Sequence, residues 1–330
     1  MKYDIDIVIP WVDGSDEKWL SEKNRTLNTG EGDQRINRYR DWDNLQYWFR
    51  GVEKNLPWVR KIHFVTWGHL PVWLDTSHPK LNIVKHSDYI PAEYLPTFSV
   101  NPIEMNFHRI KGLSERFIYS NDDTFFMRPL EPEFFFVDGL PVDSAIQNVL
   151  QFNRWDGISQ TVANDLNCLN HNFNKREVIS KNPEKWFSLK YKKGFLMNLY
   201  TMPFSNFTGF ADPHLPNAFL RSSFEEVWEK CSDRLEITCR NKARTNEDVN
   251  QWLVRYWQFA SARFVPGSPD RGRFFAIGTD DEQIESAIIN RSTPMLCLSD
   301  DKIDVDFEKE KAFIINCFEK VFPEKSSFEK

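Results

Sequence analysis

The sequence predicts an α/β protein: a mostly parallel sheet flanked by helices, followed by a more helical second half. Two observations carry this prediction. Over residues 1–125, short runs of strand-forming residues alternate with segments of helical spacing, which implies parallel strands joined by right-handed crossovers. Beyond residue 219 the apolar spacing is mainly helical. A sheet of this Rossmann-like kind gathers ligands at the carboxyl ends of its strands.

Residues 4–10, Asp-Ile-Asp-Ile-Val-Ile-Pro, alternate and then run apolar, the pattern of a first strand buried toward its end. The strand empties into Trp11-Val12-Asp13-Gly14-Ser15-Asp16, a turn with two carboxylates. Residues 21–37 are polar, contain Gly30 and Gly32, and read as a mobile loop. Asp41 reads as the N-cap of a helix that buries Trp42, Leu45, Phe49 and Val52. Strands follow at 61–66 and 81–85, separated by an irregular crossover at 70–74 and succeeded by a proline-bearing loop over 88–100. Ile103, Phe107 and Ile110 recur at helical spacing before the strand Phe117–Ser120.

That strand runs into Asn121-Asp122-Asp123. These residues are common turn formers, yet adjacent carboxylates at the end of a buried strand need a cation or hydrogen-bond donors to hold them. Strand polarity places Asp13, Asp16, Asp122 and Asp123 on one sheet edge. Glu104 and His108 stand four apart on the helix expected before the key strand; they are either a surface pair or contributors to that edge. Arg38, Arg40 and Asp41 precede the first predicted helix, where phosphate could meet its N-terminal amides or the side chains could face solvent.

Residues 128–170 show weak periodicity and receive no assigned element. Residues 171–193 hold seven basic residues against Glu177 and Glu184. They read either as a solvated helical face or as a dock for an anionic acceptor or membrane surface. His214 is held between Pro213 and Pro216 in a stiff, non-helical segment. Residues 219–230 read as a helix with Phe219, Phe224, Val227 and Trp228 inward. Thr245 and Asp248 resemble a capping box for a helix that buries Val249, Trp252, Leu253 and Tyr256, so Asp248 has a structural reading beside a functional one. Pro266–Gly272 is a turn-rich break, and Phe307–Val321 is an amphipathic final helix.

Composition narrows the function. A net charge of −6 supplies no basic field for nucleic acid. The five cysteines are scattered and form no C-x-x-C pair, which argues against a disulfide scaffold or structural zinc and for a reducing cytoplasm. The acidic N-terminus does not resemble a signal peptide, and no apolar run reaches the ~18 residues of a membrane span. P-loop, dinucleotide and serine-hydrolase motifs are absent. Four separated places remain: Asp13/Asp16, Asp122/Asp123, His214, and Arg244 to Asp248. Carboxylates without neighbouring cysteines favour Mg2+ or Mn2+ over zinc. An arginine beside such an ion suits a diphosphate, and a histidine can deprotonate an acceptor hydroxyl.

Taken together, these motifs resemble the Stealth family of sugar-phosphate transferases. Residues 4–16 are similar to its first conserved region. Arg38–Asp41, Asn55–Arg60, Pro96–Ser99, Ile103-Glu104 and Phe117–Phe126 are similar to the second. Pro213–Pro216 with Arg244–Asp248 resemble the third, and Cys297–Asp301 with the aromatic tail the fourth. The resemblance implies one catalytic domain over 1–330 with a glycosyltransferase-A-like sheet. Residues 1–127 would form the nucleotide-sugar and metal half, 128–210 a variable acceptor-binding insertion, and 211–330 a helical half completing the site. It also implies transfer of a sugar 1-phosphate from a nucleotide-sugar donor, such as a UDP-N-acetylhexosamine, to a hydroxyl of a polysaccharide or lipid-linked glycan acceptor. UMP would leave, as part of capsular or cell-surface polysaccharide synthesis, with the chain cytoplasmic and peripheral at the inner face of the membrane beside other assembly enzymes. By position, Asp122, Asp123 and Glu104 would serve the metal. Asp122, Asp123, His214, Arg244 and Asp248 would be catalytic, and Asp13, Asp16, Arg38, Arg40, Glu104 and His108 would bind the donor. Two other classes compete: a metal-dependent glycosyltransferase that releases UDP, and a noncatalytic carbohydrate binder rich in Trp and Phe.

Overall fold

The computed structural model describes residues 3–27, 40–152, 157–300 and 305–330. Along the chain, β1 (Ile5–Pro10) leads to α1 (Glu17–Thr26) and α2 (Leu45–Asn55), then to β2 (Ile62–Thr66), β3 (Leu81–Lys85), α3 (His86–Tyr89) and α4 (Val100–Met105). β4 (Arg116–Tyr119) and β5 (Thr124–Phe126) flank the Asn121-Asp122-Asp123 turn, followed by the short strands β6 (Phe136–Val137) and β7 (Leu140–Asp143). Four helices come next: α5 (Ile158–Asn172), α6 (Lys175–Lys181), α7 (Pro183–Trp186) and α8 (Gly194–Thr201). The chain then forms β8 (Asn217–Leu220), α9 (Arg221–Arg240), α10 (Gln251–Ala260), β9 (Val265–Pro266) and β10 (Gly272–Ala276). It closes with α11 (Asp281–Ile289), β11 (Met295–Ser299) and α12 (Phe307–Val321).

The main sheet has the order β3-β2-β1-β4-β8, parallel except for β8. This is the predicted mostly parallel α/β class. Strand periodicity sorts its side chains between two cores. Ile7, Ile9 and Ile118 pack with residues of α2, α11 and α12, while Val8, Phe117 and Tyr119 pack with residues of α4, α5, α9 and α10. Both faces are therefore covered, as a parallel sheet requires. A second sheet, β10-β11-β5, continues directly from the Asn-Asp-Asp turn. Gly51 lets α2 approach it, since a Cβ there would lie 3.1 Å from the Phe126 carbonyl oxygen.

Four local expectations are corrected. Glu17–Thr26 is a helix rather than loop, because the Asp16 carboxylate caps it by accepting from the Trp19 amide at 2.8 Å. Gly30, Gly32 and Arg38 lie outside the described residues. α2 begins at Leu45, not beside Asp41, whose carboxylate instead accepts from the Asp43 amide. Residues 217–220 form the antiparallel edge strand β8 against β4, so the helix expected from 219 starts at Arg221. α10 starts at Gln251 with Asn250 as its cap, later than the Thr245–Asp248 spacing suggests.

One buried ion cluster ties the two halves of the chain. Arg255, 1% exposed, donates through Nε and Nη2 to the Asp143 carboxylate at 2.7 and 2.8 Å and through Nη1 to Asp212 at 2.6 Å. The Tyr256 hydroxyl donates to the other Asp212 oxygen at 2.5 Å. Arg255→Met would leave two buried carboxylates without the cation that hydrogen-bonds them, with only the charge of Arg271 still acting on Asp143. It should lower the unfolding free energy by about 3–5 kcal/mol, read by urea titration at pH 7; a loss below ~1 kcal/mol would show that the cluster does not hold the halves together.

Candidate active site

Parallel pairing of β4 with β1 brings Asn121-Asp122-Asp123 to the same edge as the turn after β1. The turn is fixed from below by hydroxyls. The Ser120 hydroxyl accepts from Trp48 Nε1 at 3.0 Å and meets the Thr124 hydroxyl at 2.9 Å, while Thr124 donates to the Asn121 carbonyl at 2.8 Å. From the side, β11 pairs antiparallel with β5, and the Leu298 amide donates to the Asp123 carbonyl at 2.9 Å. The His214 segment arrives from the Arg255 cluster. His214 Nε2 lies 3.2 Å from Asn121 Nδ2 and 3.3 Å from Asp123 Oδ2.

These groups line a cavity of about 580 Å³ that also admits Glu104, Arg40, Arg244, Lys23, Trp252 and Asp300. Glu104 is buried on its wall, accepting from the Tyr119 hydroxyl at 2.5 Å and facing the Gln251 amide at 3.5 Å. Burial pushes its carboxyl up to about 7, against the opposing pull of Tyr119 and Arg244. Burial and the adjacent Asp123 push the Asp122 carboxyl up to about 7 as well. Arg40 lines the cavity and is held by Asp300: Nε lies 3.1 Å from one carboxylate oxygen and Nη2 3.2 Å from the other.

Other candidates stand elsewhere. Asp13 and Asp16 occupy the predicted sheet edge but do not line the cavity; Asp13 accepts from Ser15 and Asp16 caps α1. His108 does not share a helical face with Glu104, because α4 ends at Met105 and a tighter turn spans 107–109. Its ring packs beside Phe224 and Trp228, and burial pushes its pKa down to about 3. Asp248 is fully buried; its oxygens accept from Asn101, Asn241 and both the amide and hydroxyl of Thr245. It therefore braces the loop that carries Arg244, which is the structural reading left open by its spacing.

Sequence reasoning missed Lys23, Cys297 and Asp300. Lys23 belongs to the unassigned helix α1, where it is largely buried and lies over the Trp19 ring. Asp300 follows β11 in the Leu-Ser-Asp-Asp stretch, whose acidic pair was the available signal. Cys297 corrects the expectation of acids without a cysteine nearby, since its Sγ lies 3.6 Å from Asp123 Oδ2. Asp123, His214 and Cys297 place ligand atoms within 4.8 Å of one another; neither Glu104 nor Asp122 belongs to that set. The second oxygen of Asp123 is buried and has no hydrogen-bond partner among the described residues. An orphaned carboxylate oxygen beside a second, strained carboxyl is what a divalent cation would satisfy. The carboxylates suit Mg2+ or Mn2+, whereas histidine and thiolate are softer donors.

Comparison with known proteins is consistent along the whole chain. Stealth protein conserved region 1 matches residues 3–31 and conserved region 2 matches residues 38–142. A Streptococcus pneumoniae protein named capsular polysaccharide phosphotransferase WcwK is 42% identical, with 100% of each chain covered. The exopolysaccharide phosphotransferase cps2G of Lactiplantibacillus plantarum is 37% identical over 99% of this chain and 97% of its own. Among solved structures, the galactosyltransferase LgtC in complex with donor and acceptor sugar analogues covers 94% of this chain at a TM-score of 0.40 and 8% identity. That overlap is too loose to transfer detail.

The raised Asp122 carboxyl has a measurable consequence. Its folded value, about 7, lies above the ordinary 3.8, so ionising it opposes folding. Stability is unaffected below the ordinary value, falls as pH rises between the two, and stays reduced above the folded one. With chelator present, Asp122→Asn should melt higher than the parent at pH 8, with the gap closing toward pH 4. Equal melting temperatures across that range would mean the charge is not strained.

Proposed function

Because the chain belongs to the Stealth family, we propose that it is a phosphotransferase that moves a sugar 1-phosphate from a UDP-sugar to a hydroxyl of a glycan acceptor, forming a phosphodiester and releasing UMP. Its relatives are named for phosphotransfer in capsular and exopolysaccharide synthesis. The observation that carries the reading is the convergence of Asp123, with its orphaned oxygen, and His214 in one cavity with Arg40, Arg244 and Lys23. A carbohydrate binder that works by stacking needs none of these groups.

The chain's own residues divide the work as follows. Arg40, Arg244 and Lys23 would surround the diphosphate with positive charge, Arg40 being held in place by Asp300. Asp122 and Asp123 would hold a divalent cation, which when bound neutralises charge on the diphosphate. His214 Nε2, 3.2 Å from Asn121 Nδ2, would take the proton of the acceptor hydroxyl once that hydroxyl displaces the Asn121 contact. The acceptor oxygen bonds to the sugar-bearing phosphorus, its proton passes to His214 Nε2, and the bridging P–O bond breaks to leave UMP. The imidazolium formed is stabilised by Asp123 Oδ2, 3.3 Å away. A neighbouring groove of about 400 Å³, lined by Phe210, Asp212 and Gln151, shares Ile158 and Trp252 with the cavity. Its position beside the cavity supports reading it as the acceptor's route to His214, with residues of the 128–210 region such as Gln151 and Phe210 taking part in acceptor choice. Pairing of β5 with β11 and of β4 with β8 supports reading residues 1–330 as one catalytic unit.

The test is the nucleotide product. Incubation with a panel of UDP-sugars, a polysaccharide acceptor and Mg2+ or Mn2+ should yield UMP; UDP would identify a glycosyltransferase, and neither nucleotide would return the binding-protein reading. His214→Ala and Asp123→Asn should each lower kcat by about 10²–10⁴-fold while the fold is retained, and chelation should stop turnover. Rates within a few-fold of the parent would remove both residues from the site.

A further inference from the structure

Helix α8 is built inside out. Asn198, fully buried, accepts from the Gln147 amide at 2.6 Å and donates to the carbonyls of Ala145 and Trp186 at 2.9 and 2.5 Å. Thr201 is also fully buried, its hydroxyl donating back to the Met197 carbonyl. The polar residues thus face the protein, and Gly194 allows the close approach, since a Cβ there would collide with Ile146. Phe195 and Met197 pack against the core, but three large apolar residues face outward: Leu196 is 62% exposed, Leu199 47% and Tyr200 64%. Spaced three and four apart, they share one helical face. Leu189 before the helix and Phe204 after it extend the same exposed apolar stretch.

A contiguous apolar patch of this kind marks an interaction surface, and its setting points to the occupant. The basic segment 171–193 resolves into two groups. Lys175 and Lys185 are structural, donating to the backbone carbonyls of Thr201 and of Ala262 and Phe264. Lys192 pairs with Asp270 and Lys181 with Glu177. Lys190 and Lys193 stand exposed on the turn leading into α8, beside Leu189. The chain as a whole carries a net charge of −6, so its general field repels an anionic surface and attraction must be local. Aliphatic and aromatic side chains on one helical face, with lysines at its border, match the way a helix lies in the interface of an anionic bilayer.

We infer that the 189–204 face docks this protein on an anionic lipid bilayer, with Leu196, Leu199 and Tyr200 entering the headgroup boundary and Lys190 and Lys193 meeting lipid phosphates. Asn198 binds α8 to residues 145–147, whose continuation lines the groove beside the catalytic cavity. Docking would therefore hold that groove at the membrane, where a lipid-anchored acceptor is presented. The inference does not depend on the phosphotransfer reading, because binding is measured without substrate.

The full chain should co-sediment with vesicles of phosphatidylglycerol and phosphatidylcholine in equal parts and not with phosphatidylcholine alone. Leu196→Ser/Leu199→Ser and, separately, Lys190→Glu/Lys193→Glu should each weaken partitioning by at least about tenfold with unchanged melting temperatures. Failure of the parent to bind either vesicle, or unaltered binding by both double variants, would overturn the proposal. So would light scattering that shows a parent dimer broken by Leu196→Ser/Leu199→Ser without vesicle binding, since a second copy would then be the occupant.

Discussion

The Arg255 cluster is the constraint on which the site depends. His214 sits on a segment with no regular secondary structure, and such a segment holds a side chain steady only if something anchors its backbone. Asp212, two residues earlier, supplies the anchor by gripping Arg255 and Tyr256 on α10, while Asp143 at the end of β7 closes the cluster from the other side. Burial alone would push both carboxyls up. The guanidinium more than offsets this for Asp143, which lies below its ordinary range, and only in part for Asp212, which stays at about 6. One buried cation therefore joins the 128–210 region to α10 and fixes the approach of the histidine to Asn121 and Asp123.

The opposite logic governs the cavity itself. Glu104 and Asp122 are carboxyls that burial holds near 7, and Asp123 keeps one oxygen without a donor. Structural acids in this chain, such as Asp248 and Asp143, are saturated with donors. Carboxyls destabilised in this way, in a cavity that also holds two arginines and a lysine, are poised for an anionic ligand and its counter-ion.

Much of this was legible in the sequence, and the misses have physical causes. β1 through β4 and α12 declared themselves by periodicity, and the turn after β4 by its adjacent acids at a strand end. α1 did not, because its start depends on the Asp16 cap rather than on an apolar stripe. β8 was masked by its merger with α9, since an edge strand that feeds straight into a helix carries no turn residue between them. Asp248 shows a limit of spacing arguments: a capping pair and a catalytic acid look alike until the partners of each oxygen are known. The environment of Cys297 was invisible because it arises from a strand pairing across 174 residues.

That pairing also bears on how the enzyme comes into being. β11 lies far from β5 along the chain, yet it flanks the Asn121-Asp122-Asp123 turn and its Leu298 amide fastens the Asp123 carbonyl. When β8 has been made, Asp122, Asp123 and His214 are all present in the polypeptide, but the strand that sets their turn is not. The turn is therefore set only after β11 has been made, later than any of the three residues that it brings together.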